Sequence, residues 1–147
     1  IYDVCRKETF SAVRGQGAYL NGDPIRVSSK DKLIESVMAV SYPGSEEWEP
    51  FRNAYEFFQK NIRAVRRLGS STIEQVWVAC GRLDGIFKAN LHAWDVAAGS
   101  LIMEEAGAIV QCFESEDGVE YNPFADSLVA SNPQLFKQLV SVCREAD

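Results

Sequence analysis

The sequence predicts an α/β fold, in which helices pack on the faces of a sheet. Short apolar segments with strand character alternate with segments of helical periodicity over residues 33–143, and this alternation is typical of an α/β sandwich. The length of 147 residues and the hydrophobic content of 46% are sufficient for one domain with a substantial core.

The composition argues against two classes of partner. The net charge is −6, and the basic residues are dispersed except for three arginines between residues 63 and 67. This distribution does not favour nucleic acid bound without sequence preference or an anionic membrane surface. The sequence contains no run of 18 apolar residues that would predict a membrane span. The four cysteines are scattered without metal-ligand spacing, so we expect reduced thiols and a cytoplasmic location.

The first predicted element is a β-hairpin over residues 6–20. The Asn21-Gly22 step that follows it favours a tight turn with positive φ. A two-stranded unit cannot bury itself in water and needs a partner sheet. We therefore expect the hairpin to be the edge of a sheet whose remainder lies outside this chain. The chain starts without a methionine, which is expected for a piece of a longer protein.

The alternating region begins with a strand, a helix and a second strand. Residues 37–41 form a continuous apolar strand that stops at Pro43-Gly44, and a short strand is predicted at residues 64–65. Between the two strands, apolar residues at helical spacing predict a helix from about residue 47 to residue 61.

A second helix is predicted after Gly69. Its first residues, Ser71-Thr72-Ile73-Glu74, have the spacing of a capping box, in which serine and glutamate side chains bond to backbone amides of the first turn. Gly81 ends the helix. The predicted buried face consists of Ile73, Val76, Trp77 and Cys80.

The remaining elements continue the alternation. They are a strand at residues 83–87, an apolar helix that starts near Asp95 and ends at Gly107, strands at 108–113 and 128–130, and a helix at 133–143. Proline occupies the first turn of this last helix, a position that tolerates it.

Asp95 is the candidate residue for metal binding. It lies in the first turn of its helix, where unpaired amides and the helix dipole favour negative charge. The carboxylate either caps those amides alone or also holds a metal ion. A catalytic Mg²⁺ needs several oxygen ligands, so the companions of Asp95 would have to come from outside this chain.

Gly69-Ser70-Ser71 is a candidate binding segment because backbone amides at a helix start can face a polar ligand. The neighbouring Arg66 and Arg67 would add positive charge for an anion. The structural alternative is a capped helix start beside two solvated arginines.

Other polar residues carry no assigned chemistry. His92 is the only histidine, and no serine or cysteine has a matching base for nucleophilic catalysis. Glu104 and Glu105 are expected on an exposed helix face with a packing contact, and Asp84 at a turn or strand edge. The three tryptophans are expected in the core or at its boundary.

Several short motifs occur in an order and spacing that resemble the inositol monophosphatase family, from the first residue to about Asn132. They are Tyr2-Asp3, Glu8-Thr9-Phe10-Ser11-Ala12, Gly15-Gln16-Gly17-Ala18, Asn21-Gly22, Arg67-Leu68-Gly69-Ser70-Ser71, Val78-Ala79-Cys80-Gly81-Arg82-Leu83-Asp84, Trp94-Asp95-Val96-Ala97-Ala98-Gly99 and Glu105-Ala106-Gly107.

The resemblance implies a layered α-β-α-β-α sandwich that uses Mg²⁺ to hydrolyse phosphate monoesters of small polyols or nucleotides. It also implies inhibition by Li⁺ and assembly as a homodimer. Asp95 would coordinate the magnesium, and Gly69, Ser70 and Ser71 would bind substrate hydroxyls. In this view residues 1–28 are the terminal hairpin of an absent N-terminal domain, and residues 29–147 are the C-terminal α/β domain.

The chain departs from the family in two ways. The glutamate pair and the Asp-Pro-(Ile/Leu)-Asp-Gly-Thr motif that supply the family's other metal carboxylates are not in this sequence. We therefore expect the isolated chain to bind magnesium weakly and to hydrolyse nothing. In addition, Lys88 stands where inositol-specific members carry a glutamate, and lysine offers only donors and a positive charge.

Three functions remain open at this point. The first is hydrolysis of a small phosphate monoester by the complete protein. The second is a phosphatase for fructose 1,6-bisphosphate, histidinol phosphate or a nucleotide such as phosphoadenosine phosphate, because Lys88 would suit a second anionic group. The third is a non-catalytic half or assembly domain that needs a partner.

Overall fold

A computed structural model describes residues 1–41, 49–113 and 119–145 of the protein. These residues form two β-sheets and four α-helices. The predicted stop of the first α/β strand at Pro43-Gly44, the start of the first helix before residue 49, and Trp48 lie outside the described residues.

The smaller sheet has four antiparallel strands in consecutive order, β1 (Tyr2–Asp3), β2 (Glu8–Ala12), β3 (Ala18–Leu20) and β4 (Asp23–Ile25). The predicted tight turn between β3 and β4 is confirmed, with φ of +51° at Asn21 and +91° at Gly22. The expectation that the hairpin of β2 and β3 forms a sheet edge was wrong, because β1 and β4 flank it on both sides. These two strands are too short to show alternation in the sequence, and β4 contains a proline.

The larger sheet has five strands, β5 (Val37–Ser41), β6 (Ala64–Arg66), β7 (Gly85–Ala89), β8 (Ile109–Gln111) and β9 (Ser127–Ser131). Their order is β6-β5-β7-β9-β8, so β7 is the central strand. Strands β6, β5 and β7 run parallel, whereas β9 is antiparallel to β7 and β8. Strand β7 starts two residues later than predicted because the amide of Leu83 still closes the turn after a helix by donating to the Trp77 carbonyl.

The four helices are α1 (Glu49–Asn61), α2 (Ser71–Ala79), α3 (Ala93–Glu105) and α4 (Pro133–Glu145), and a short 3₁₀ turn covers Leu33–Glu35. All four were predicted. No helix among the described residues is long and apolar enough to cross a membrane.

The helices lie in separate layers on the two faces of the larger sheet. Alternate residues of the central strands point to opposite faces, as expected for extended chains. Ala39, Ile86, Leu128 and Ala130 pack with buried residues of α2 and α3, whereas Met38, Val40, Phe87 and Val129 pack with those of α1 and α4. Phe10 and Ala18 of the smaller sheet join the first core, so α2 and α3 lie between the two sheets. This arrangement confirms the predicted α/β sandwich.

Side chains of α3 and of the turn after α2 hold the smaller sheet in place. The Glu105 carboxylate accepts hydrogen bonds from the backbone amides of Gly15 (2.7 Å) and Gly17 (2.8 Å) in the β2–β3 loop. The Arg82 guanidinium donates to both carboxylate oxygens of Glu8, at 2.6 and 2.7 Å. The packing contact expected of the Glu104-Glu105 pair is therefore made by Glu105.

Changing Glu105 to glutamine tests this attachment through its pH dependence. Hydrogen bonds from Gly15 and then Gly17 lower the pKa of Glu105 below its ordinary value of 4.5. A carboxylate with a lower pKa in the folded state adds stability above the unfolded pKa and loses it as the pH falls through the folded pKa. We therefore expect Glu105→Gln to lower the melting temperature at pH 7, with the difference from wild type shrinking below about pH 4.5.

The adjacent Glu104 provides the matched control because burial raises its pKa. A raised pKa means that the ionised form costs stability at neutral pH, so Glu104→Gln should not lower the melting temperature at pH 7. Equal melting curves of wild type and Glu105→Gln at pH 7 would contradict the assigned role.

Candidate active site

The start of α3 places the Asp95 carboxylate at the surface of the molecule. Asp95 is the third residue of the helix, and its Oδ2 accepts a hydrogen bond from the His92 backbone amide at 3.0 Å. Its side chain is 36% exposed. Among the described residues, none donates a hydrogen bond to Oδ1. The carboxylate thus closes the helix start with one oxygen and keeps the other available.

The residues beside Asp95 are more exposed than expected. Trp94 is 78% exposed and stacks on the His92 ring, with ring centroids 4.6 Å apart. The expectation of a core or boundary position was wrong for Trp94, which lies in the first helical turn, away from both cores. Trp77 does lie at a boundary, where the guanidinium groups of Arg6 and Arg82 cover its ring.

The start of α2 is formed by Gly69, Ser70 and Ser71. Gly69 has a φ of +83°, a left-handed conformation that favours glycine. Ser70 follows in an extended conformation, and its Oγ accepts a hydrogen bond from the Ile73 amide at 3.4 Å. Ser70 is therefore the capping residue, one position before the predicted Ser71. The amides of Ser71 and Thr72, at the first two positions of the helix, have no acceptor among the described residues and are available to a ligand.

Glu74 does not complete a capping box, contrary to prediction, but is fully buried beneath the helix start. One of its oxygens accepts a hydrogen bond from the Leu68 amide at 2.6 Å, and the other forms an ion pair with the Lys88 ammonium group. Glu74, Gln75, Val76, Val78 and Ala79 are buried, whereas Ile73, Trp77 and Cys80 of the predicted face are only partly buried. The predicted buried face is confirmed at Val76, and burial extends to other positions because α2 is covered on more than one side.

Lys88 lies on β7 with its side chain directed at the start of α2. The side chain is 7% exposed, and Nζ donates to the Ser71 hydroxyl at 3.2 Å in addition to pairing with Glu74. The structure therefore brings together two predicted site residues, Lys88 and Ser71. The buried ammonium group of Lys88 is thus paired with the Glu74 carboxylate, as is usual for a buried lysine.

A polar cavity of about 210 Å³ opens at this point. Arg67, Gly69, Ser71, Lys88 and Asn90 contribute to its lining. A larger cavity of about 750 Å³ lies between β8 and α4, but its lining is mainly apolar and includes none of the predicted site residues. The smaller cavity is the better candidate for binding a hydroxylated or phosphorylated ligand because its polar groups converge.

Gln75 connects the cavity with Asp95. This side chain is fully buried, and its Nε2 donates to the Ser71 carbonyl at 2.9 Å and to the Asp95 carbonyl at 2.8 Å. Sequence reasoning missed both Gln75 and Glu74. The available signal was the presence of two long polar residues between apolar positions of a short helix.

The described residues contain no cluster of three or more histidine, cysteine or acidic side chains that could hold a metal ion. Asp95 offers a partly exposed carboxylate oxygen, which is the donor type that Mg²⁺ prefers. The donor therefore fits magnesium in kind, but a single carboxylate is not a complete ligand set for this ion.

A family model described as the inositol monophosphatase family matches residues 1–147. The chain belongs to the inositol monophosphatase family. Among curated proteins it is similar to the Nus factor SuhB of Escherichia coli K12, with 35% identity over 147 residues that cover 99% of this chain and 54% of the relative. The chain spans about half the length of the curated relatives it matches.

Solved structures agree with this assignment. The inositol monophosphatase of Anabaena has a TM-score of 0.87 at 28% identity and covers 99% of this chain, which covers 57% of that protein. The Thermotoga maritima IMPase has a TM-score of 0.83 at 33% identity, with 99% and 54% covered. The family and the fold expected from the motifs are both confirmed.

Breaking the buried ion pair tests the geometry beneath the cavity. Glu74→Gln would leave the Lys88 ammonium group buried without a counter-charge, and removal of one partner from a buried pair typically costs about 3–5 kcal/mol. We expect a loss of this size in the free energy of unfolding, measured by urea denaturation. The double variant Glu74→Gln, Lys88→Met removes both charges and should recover most of the loss. A single variant as stable as wild type would show that the pair is not buried.

Proposed function

We propose that the complete protein containing this chain hydrolyses a small phosphate monoester, such as a phosphorylated polyol, with Mg²⁺ as cofactor. The observation that carries the proposal is the junction of two helix starts. One presents the Asp95 carboxylate, the other presents Gly69, Ser70 and Ser71 to a polar cavity, and Gln75 bonds to both. Family membership adds to this because relatives with this fold include proteins named as inositol monophosphatases.

In the proposed site Asp95 would hold the ion through its oxygen that makes no bond to His92. The other ligands are expected in the part of the protein outside this chain, where family members carry a glutamate pair and a double-aspartate motif. Bound Mg²⁺ supplies activation of water and neutralisation of charge on the phosphate. By resemblance to the family, Li⁺ is expected to inhibit.

The residues of this chain would mainly orient the alcohol part of the substrate. Amides at the start of α2 can donate hydrogen bonds to substrate oxygens, and the helix dipole favours negative charge there. The Ser71 hydroxyl, held by Lys88 at 3.2 Å, is directed by that bond. Holding the reacting groups in place lowers the activation barrier, because less translational and rotational entropy is lost in the chemical step.

The charges around the cavity support a substrate that carries a second anionic group. The charge of Lys88 is offset by Glu74, but Arg67 lines the same cavity and forms no ion pair with any residue that the structure describes. We propose that Arg67, with Lys88, contacts a second phosphate of a bisphosphate or nucleotide substrate. The candidates are fructose 1,6-bisphosphate and phosphoadenosine phosphate, whereas histidinol phosphate carries an amine in place of a second phosphate and is not favoured by this contact.

A non-catalytic role in a larger assembly is the alternative from another class. It is supported by the name of the curated relatives, Nus factor SuhB. A homodimer in the cytoplasm is also proposed by resemblance. Gel filtration tests the assembly role directly, because a folded and monodisperse monomer would count against it.

Replacing Asp95 with asparagine in the complete protein tests the metal role. Asparagine keeps a carbonyl oxygen for the His92 amide but removes the charge, so the helix start should survive. Partners that only orient metal ligands already contribute about 10- to 100-fold to metal affinity or activity. We therefore expect turnover to fall by at least about 100-fold and the Mg²⁺ concentration for half-maximal activity to rise.

The matched control is Asp23→Asn, which removes an exposed carboxylate from β4. It should leave both turnover and magnesium requirement unchanged. Activity of Asp95→Asn within a few-fold of wild type, at the same Mg²⁺ requirement, would contradict the assignment. The isolated chain of 147 residues is expected to be inactive in the same assay.

Replacing Arg67 with glutamine tests the second anionic group. A hydrogen bond to a charged group contributes about 1.5–3 kcal/mol, so its loss should lower kcat/KM for a bisphosphate by about 10-fold or more. The rate with a monophosphate should change by less than about twofold. Arg66→Gln is the control, because Arg66 bonds to the Val65 carbonyl and does not line the cavity. Equal effects of Arg67→Gln on both substrates would exclude this contact.

A further inference from the structure

The two halves of the proposed site are joined by one buried side chain. Gln75 donates from Nε2 to the carbonyl oxygens of Ser71 and Asp95, at 2.9 and 2.8 Å. Both contacted atoms are acceptors, which fixes the amide nitrogen on this side. Ser71 starts the helix that lines the cavity, and Asp95 carries the candidate metal carboxylate. These two hydrogen bonds, which we call the Gln75 bridge, therefore connect the two segments that carry the candidate ligand-binding groups.

Gly99 allows this bridge to form. It lies one helical turn after Asp95, and a methyl group placed on it would collide with the Gln75 side chain. The φ of Gly99 lies outside the left-handed region, so this position requires space for the Gln75 side chain and not the conformational freedom of glycine. Gln75 and Gly99 together set how closely α2 and α3 approach.

The two ends of the Gln75 amide group have different surroundings. Its Oε1 is buried and has no hydrogen-bond partner among the residues that the structure describes, which carries a desolvation cost. Nε2, by contrast, donates to two backbone carbonyls, and an apolar side chain at position 75 would leave both carbonyls without this donor. A buried polar atom that is not fully hydrogen-bonded is a departure of the kind expected at functional sites.

We propose that Gln75 is a positioning residue that fixes the Asp95 carboxylate relative to the substrate-binding segment of residues 69–71. This inference rests on the proposed phosphatase function for its catalytic consequence. Because misplacement of reacting groups by about 1 Å can cost about 100-fold in rate, loss of the bridge acts on turnover more than on the binding of either ligand alone.

The test uses the complete protein with Gln75→Met, which keeps the length of the side chain and removes both donors. We expect kcat at saturating substrate and Mg²⁺ to fall by about 10- to 100-fold, with KM changed by less than about threefold. Assays are run well below the melting temperature. A variant that melts earlier but keeps the wild-type kcat would show a merely structural role and overturn the proposal.

Ser100→Ala is the matched control. Ser100 is also buried in α3, but its hydroxyl donates to the Ala97 carbonyl of the same helix and does not reach α2. This variant should keep kcat within about twofold of wild type.

Gly99→Ala is a second test of the proposal, since it keeps both donors and displaces the Gln75 side chain. We expect it to lower kcat in the same way, and a normal kcat with this variant would also overturn the proposal.

Hydrogen exchange in the metal-free protein separates this inference from the proposed function. If Gln75 links the two segments, Gln75→Met should speed amide exchange in residues 71–75 and in residues 93–97, whereas Ser100→Ala should affect α3 alone. An inactive wild-type protein with this exchange pattern would refute the phosphatase proposal and leave the link intact. Unchanged exchange in both segments would refute the link whatever the activity.

Discussion

The buried ion pair between Glu74 and Lys88 is the interaction on which the geometry of the candidate site depends. It connects α2 with β7, the central strand of the larger sheet. Glu74 also accepts the Leu68 amide, and Lys88 also donates to Ser71, so the same pair orders the loop before α2 and its first residue. A charge pair inside the protein tolerates little displacement, because each ion loses its solvation and must keep its partners.

The position of α2 set by this ion pair also determines, through packing, where the rest of the candidate site lies. With α2 fixed on the sheet, the close approach at Gly99 and the Gln75 bonds determine where α3 lies. The positive ends of two helix dipoles are thereby brought to one region of the surface, which favours an anionic ligand there. Arg67 adds a further positive charge, whereas Asp95 carries the acidic group that would contact the cation in the proposed site.

The sequence was a good guide to elements with strong local patterns. The helices, the parallel strands and the Asn21-Gly22 turn were all predicted, because apolar periodicity and glycine conformations are local properties. Strands β1 and β4 were not predicted, since two or three residues carry no periodicity. Either Ser70 or Ser71 could cap α2 on the sequence alone. In the structure the left-handed conformation of Gly69 is followed by an extended Ser70, which is the capping residue.

The candidate site was predictable only in part, for a similar reason. The positions of Asp95 and of Gly69 to Ser71 at helix starts follow from capping patterns, and their roles were suggested by motifs. The partners of Lys88 could not be predicted, because Glu74 and Ser71 are 14 and 17 residues away and meet it only through the packing of α2 on β7. The bridge of Gln75 to Asp95, across 20 residues, depends in addition on the missing side chain at Gly99.

The geometry of Asp95 is compatible with both a capping and a ligating role of the carboxylate. A carboxylate has two oxygens and several lone pairs, so one oxygen can accept the His92 amide while the other faces a cation. The hydrogen bond from the His92 amide restricts rotation of the Asp95 side chain, so less conformational entropy would be lost on metal binding. In the proposed site, capping would therefore orient the carboxylate for coordination, and one residue at this helix position would serve both purposes.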